Sequence, residues 1–151
     1  MKKLVMVYHS QSGSTERLAS AIAEGVSTEG GVKLVVLRAC DACSRDLEDC
    51  DLLLVGCAEN SGHMSGGIKG FLDRVFYPLL KAERLMPYGL FVSAGNDGRN
   101  AVREIDRIAG GLGFKSAVEP LIVRGEVTQA DIETARELGA AVAAGTQMGI
   151  F

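Results

Sequence analysis

Tryptophan is absent from this chain, aromatic residues make up only 5% of it, and it holds just three prolines. The first absence removes the largest ring with which a protein can stack on a flat ligand. Positive charge is not in excess either. Sixteen basic side chains stand against 19 acidic ones, a formal charge of −3, which gives no electrostatic case for nucleic-acid binding, since that needs clustered positive charge. No apolar run approaches the ~20 residues of a membrane-spanning helix. Met1-Lys2-Lys3-Leu4 leads straight into a strand-like segment, with no cleavage site of small residues. No signal peptide is expected, and the chain reads as cytoplasmic.

Apolar residues are plentiful, at 47% of 151 residues, enough for one core in one domain over residues 1–151. Leu4 to His9 is a continuous apolar run, as expected of a strand buried on both faces. Val32–Leu37, Asp51–Gly56, Tyr88–Ser93 and Ser116–Val123 read as further strands, the last interrupted by Pro120, which suits an edge or a bulge. Between them run helical patterns. Leu18, Ile22 and Val26 form a stripe ended by Gly30-Gly31, and 67–80 carries Ile68, Phe71, Leu72, Val75 and Phe76 on one side, read as core. Residues 100–112 and 128–146 complete the set, the last opened by Thr128 with Asp131 as a capping pair. The charges Asp131, Glu133, Arg136 and Glu137 read as its solvated face. Residues 41–49 are polar and read as a loop with a short helix.

Five strands alternating with helices imply an α/β fold: a parallel sheet with right-handed crossovers and helices on both faces. Ligands of such sheets bind beyond the carboxyl ends of the strands, so the loops after strands one, three and four are the places to look. The first, Ser10-Gln11-Ser12-Gly13-Ser14-Thr15, sets four hydroxyls around a glycine at a helix start. Free N–H groups and the helix dipole there suit a phosphate. An ordinary Ser/Thr helix cap is the competing reading. No Lys stands where a triphosphate loop needs one, and no G-x-G-x-x-G is present, so the loop suits a monophosphate.

Ser10, Ser12, Gly13 and Thr15 match the T/S-x-T/S-G-x-T loop that wraps the FMN phosphate in flavodoxins, and the chain resembles that family over essentially its whole length. Its second loop, with Gly56, Gly62, Met64 and then Phe71, Asp73 and Arg74, is similar to a branch that includes FMN-dependent NAD(P)H:quinone reductases. Cys57, Ala58 and Ser61 depart from the Thr, Pro and aromatic of that branch. Ser93, Ala94, Gly95, Asn96, Asp97 and Gly98 resemble the family's third flavin loop. The resemblance implies a three-layer sandwich with a five-stranded parallel sheet in the order 2-1-3-4-5, and FMN held by 10–15, by Cys57, Ala58, Glu59, Asn60, Ser61, Gly62, His63 and Met64, and by 93–98. It implies electron transfer through bound flavin to a redox partner protein. The alternative is a reductase using NAD(P)H and quinone. A third, flavin-free reading is a binding module, which the substitutions in the second loop would allow.

Single residues remain. His63 is expected either to lie beside the flavin and supply a proton or to face solvent, and His9 to be a packing residue behind the phosphate loop. Tyr77 and Tyr88 are the candidates to replace the lost loop aromatic. Cys40-Asp41-Ala42-Cys43 is a C-x-x-C that follows a strand rather than preceding a redox helix, and Cys50 and Cys57 are spaced wrongly for a four-thiolate metal site. Ordinary thiols are expected, with Cys57 singled out because it falls in the proposed flavin loop.

Overall fold

The computed structural model describes residues 1–151. Strand β1 (Lys2–Tyr8) leads into helix α1 (Ser14–Glu29), then β2 (Val32–Arg38) and β3 (Leu52–Asn60). A two-residue strand β4 (His63–Met64), α2 (Gly66–Lys81), β5 (Pro87–Ala94) and α3 (Arg99–Gly111) follow. The chain closes with β6 (Lys115–Ser116), β7 (Leu121–Arg124) and α4 (Gln129–Met148). The sheet order is β2-β1-β3-β5, with β6 and β7 both laid along the outer side of β5. All these pairings are parallel except that of β4, which folds back antiparallel on the end of β3. This is the expected order with its fifth strand divided in two. No helix is long and apolar enough to cross a membrane.

The unbroken apolar run of β1 has a direct cause, because its side chains alternate between two cores. Leu4 and Met6 pack toward α1 and α4 with Leu52, Leu54 and Phe91. Val5 and Val7 pack toward α2 and α3 with Leu53, Val55, Leu90 and Val92. The α2 stripe is core as expected, with Phe71 and Ile68 fully buried and Phe76 packed at its margin.

Three elements differ from the sequence expectation. The β2–β3 crossover carries two 3₁₀ segments, Ala39–Asp41 and Ser44–Leu47, in place of one short helix. Ala39, Ala42, Leu47 and Cys50 along it reach the core, and only Ala39 and Leu47 of them lie in the 3₁₀ segments, too few for a helical stripe. Strand β3 runs four residues past Gly56, because Asn60 and His63 pair across a two-residue turn. Ser61 and Gly62 there have φ of 51° and 80°, the paired positive values of a hairpin turn twisted to match its strands. The register of β6 against β5 differs from that of β7 by two residues, and Pro120 lies in the resulting bulge.

Helices α1 and α4 meet backbone to backbone. A Cβ on Gly25 would lie 1.9 Å from the Arg136 carbonyl oxygen, and one on Gly139 would lie 2.1 Å from that of Ile22. Any side chain at either position forces the helices apart, and overpacking of this kind costs about 1–3 kcal/mol or more. Gly139→Ala should therefore lower the unfolding free energy by at least that amount in urea titration. Gly110→Ala on α3, where a Cβ meets open space, should be neutral or stabilising by about 0.5–1 kcal/mol.

Candidate functional site

At the carboxyl edge of the sheet the ends of β1, β3 and β5 converge on a cavity of about 220 Å³. Gln11, Ser12, Ser14 and Thr15 line it from the first loop, Ala58, Glu59 and Asn60 from β3, and Ser93, Ala94 and Gly95 from the end of β5. Gly125, after β7, completes the wall. It went unread because the broken fifth strand hides where its end lies. Its amide donates to the Ala94 carbonyl at 2.8 Å, which brings that loop beside the third one.

Hydrogen bonds join the three walls. The hydroxyls of Thr15 and Ser93 lie 2.8 Å apart in a buried setting. The Asn60 amide donates to Gln11 Oε1 at 2.7 Å. The Gly98 amide donates to Glu59 Oε2 at 2.5 Å, tying the third loop to β3. Ser10 does not line the cavity. Its hydroxyl accepts from the amides of Gly13 and Glu16, at 3.2 and 3.3 Å, and so shapes the turn that Gly13 closes with a φ of 99°. The amides of Ser14 and Thr15, at the start of α1, have no partner in the protein. Unpaired donors at a helix N-terminus attract an anion, and Ser12 and Ser14 place hydroxyls beside them. This donor set suits a phosphate monoester, and a polar cleft continues beyond it.

Other expected residues lie elsewhere. Cys57 does not line the cavity. Its side chain is buried toward α2, its thiol donates to the Ala58 carbonyl and its sulfur accepts the Ser65 amide at 3.3 Å. Burial raises this thiol's pKa. Asn96 and Asp97 sit outside, where Asp97 pairs with Arg99 at 2.6 Å and Arg124 at 3.5 Å. Those cations hold its carboxyl below the usual range, the Arg99 hydrogen bond foremost. Neither tyrosine reaches the cavity: Tyr77 is exposed on α2, and the Tyr88 hydroxyl donates to Asp106 at 2.6 Å. His9 packs its ring beside Gly67, with a buried Nδ1 that has no partner.

Ser61, Gly62, His63 and Met64 form the hairpin tip, which is tied to α3 instead of facing the cavity. His63 Nδ1 lies 2.7 Å from Glu104 Oε1, and the Met64 amide donates to Glu104 Oε2 at 2.8 Å. Asn100 donates to the Gly62 carbonyl at 2.7 Å. The sequence reading missed both Glu104 and Asn100, which lie far along the chain on what reads as an ordinary polar helix face.

Residues 6–139 match a family model described as Flavodoxin. Among solved structures, a flavodoxin from the domain Archaea is 23% identical, with a TM-score of 0.84 over 96% of this chain and 99% of that one. A WrbA-like flavodoxin from Agrobacterium tumefaciens is 26% identical, with a TM-score of 0.80 over 98% and 99%. Rubredoxin oxygen:oxidoreductase from Desulfovibrio gigas is 21% identical with a TM-score of 0.84, and 99% of this chain covers 37% of that larger protein.

The Glu104 tether makes a pH prediction. The His63 hydrogen bond first, then the Met64 amide, hold the Glu104 carboxyl below the usual carboxylate value. Its folded pKa is depressed, so its contribution is complete above the unfolded value and is lost as pH falls through the folded one. Glu104→Ala should speed hydrogen exchange at the Met64 amide about tenfold at neutral pH. In the unaltered protein the same protection should fade only in acid below the ordinary carboxylate range.

Proposed function

This chain belongs to the flavodoxin family, and we propose that it is a cytoplasmic, single-domain carrier over residues 1–151 that binds one FMN and passes electrons to a redox partner protein. The observation that supports this most directly is the meeting of three loops at one cavity, with the partnerless Ser14 and Thr15 amides at its floor. Those amides and the hydroxyls of Ser12 and Ser14 would hold the phosphate. Thr15 acts from behind, positioning the helix start through Ser93. Ala58, Glu59 and Asn60 on one side, and Ser93, Ala94, Gly95 and Gly125 on the other, would flank the rest of the cofactor. Bound there, FMN would supply the redox chemistry through its isoalloxazine ring. The protein's part is to orient that ring and set the charge near it. Glu59 is the carboxylate on the cavity wall, and its bond to the Gly98 amide fixes where that charge sits.

A second reading has its own support. None of the cavity-lining residues is aromatic, so no aromatic ring of the cavity wall would stack on the flavin. An uncovered face suits a reductase on which NAD(P)H and then quinone lie in turn.

FMN titration, followed by quenching of its fluorescence, tests both readings. Ser12→Ala with Ser14→Ala should weaken binding about a hundredfold or more, since bonds to a charged group are worth about 1.5–3 kcal/mol each. Unchanged affinity would sink the phosphate assignment, and no binding by the unaltered protein would leave the flavin-free module. Under anaerobic conditions, bound flavin that bleaches with dithionite but not with NADPH marks the carrier. Rapid bleaching by NADPH marks the reductase.

A further inference from the structure

The four cysteines divide into two unlike pairs. Cys50 and Cys57 are buried, and their thiols donate to the carbonyls of Leu52 and Ala58. Burial pushes the Cys50 thiol up to about 11. Cys40 and Cys43 are exposed and reduced, on the crossover between β2 and β3. Their backbone neighbours face the other way: Ala39 and Ala42 are each only 1% exposed. Arg74 on α2 reaches beneath the segment and donates to the carbonyls of both alanines, at 2.5 Å to Ala39 and 2.9 Å to Ala42. The Cys43 amide donates to Asp46 Oδ2 at 2.7 Å. The backbone is thus clamped from below while both thiols stand in solvent.

The turn between them has a defined shape. Asp41 ends a 3₁₀ segment, and Ala42 follows in the extended region with φ −87° and ψ 141°. Three extended residues would set the two Cα atoms about 10 Å apart, and the helical backbone at Asp41 shortens that span. A disulfide spans Cα separations of about 4.4–6.8 Å, so closing the cross-link asks only for a local adjustment of the Asp41-Ala42 backbone.

We propose that Cys40 and Cys43 form a reversible dithiol–disulfide pair that exchanges with disulfides of the glutathione class. The thiolate of one cysteine attacks a sulfur of the external disulfide and expels one thiol. The second cysteine then displaces the mixed-disulfide partner as another thiol. Both cysteine S–H bonds break and one S–S bond forms between Cys40 and Cys43. Two electrons and two protons leave in the two thiols released. The pair is independent of the flavin reading, since it uses no residue of the cavity.

The full chain, incubated in glutathione buffers of graded oxidation and quenched with acid, tests this by peptide mass mapping. The expected product is a Cys40–Cys43 linked peptide lacking two hydrogens, with Cys50 and Cys57 still reduced. Closure of the second bond is intramolecular, with an effective concentration in the millimolar range. Half-oxidation should therefore need about tenfold less oxidised glutathione than modification of Cys40→Ser or Cys43→Ser, each of which should trap glutathione on its remaining thiol. Glutathione on the unaltered pair with no linked peptide would overturn the proposal. So would a chain that stays reduced throughout, or one oxidised no more readily than the single variants.

Discussion

The hydrogen bond between Thr15 and Ser93 is the interaction on which the cavity depends. It is made between two buried hydroxyls from opposite walls, one in the first turn of α1 and one near the end of β5. An unpaired hydroxyl at that depth would be costly, so the two elements can be dry together only when they are in register. Strand β3 lies between β1 and β5 and is caught in the same registration. The Gln11–Asn60 and Glu59–Gly98 bonds then close the walls above it. Behind this arrangement, the glycine contact of α1 with α4 lets the helix that presents the unpaired Ser14 and Thr15 amides sit close to its neighbour.

The electrostatics of the site are arranged with little charge in the cavity itself. Glu59 is the carboxylate in the wall, while Asp97 has its charge taken up by Arg99 and Arg124 outside. The positive end of α1 faces the place where an anion would sit. The sheet edge therefore has an anion-seeking end and a nearly neutral remainder. That division matches a ligand with a charged phosphate and an uncharged ring.

Most of this was legible in the residues, where the signal is local. The double-sided burial of β1 follows from five apolar residues in a row, and the hydroxyl-rich turn before α1 follows from serines set around Gly13 at a helix start. Cys57 was misplaced for a specific reason. With the strand ended at Gly56, Cys57 reads as a loop residue facing a ligand. With β3 running on to Asn60, strand alternation puts Cys57 on the same face as Val55 and therefore in the core. Glu59 and Asn60 are poor strand formers, and the antiparallel return through β4 pairs both of them as a strand. His63 was ambiguous because its partner, Glu104, is 41 residues away. No pattern of spacing reveals such a pair before the fold exists. The division of the fifth strand likewise depends on how β5 offers its outer edge, and Pro120 marks the interruption without locating it.

The hairpin of β3 and β4 projects past the sheet, and its outer end is fastened to α3 through Glu104 and Asn100. Its inner end carries Glu59 and Asn60 on the cavity wall. The hairpin is thus a lever with its load at one end and its anchor at the other. Substitutions on α3, remote from any ligand, can stiffen or slacken one wall of the cleft. Lineages could in this way tune how long a cofactor stays bound while every residue that touches it is left alone.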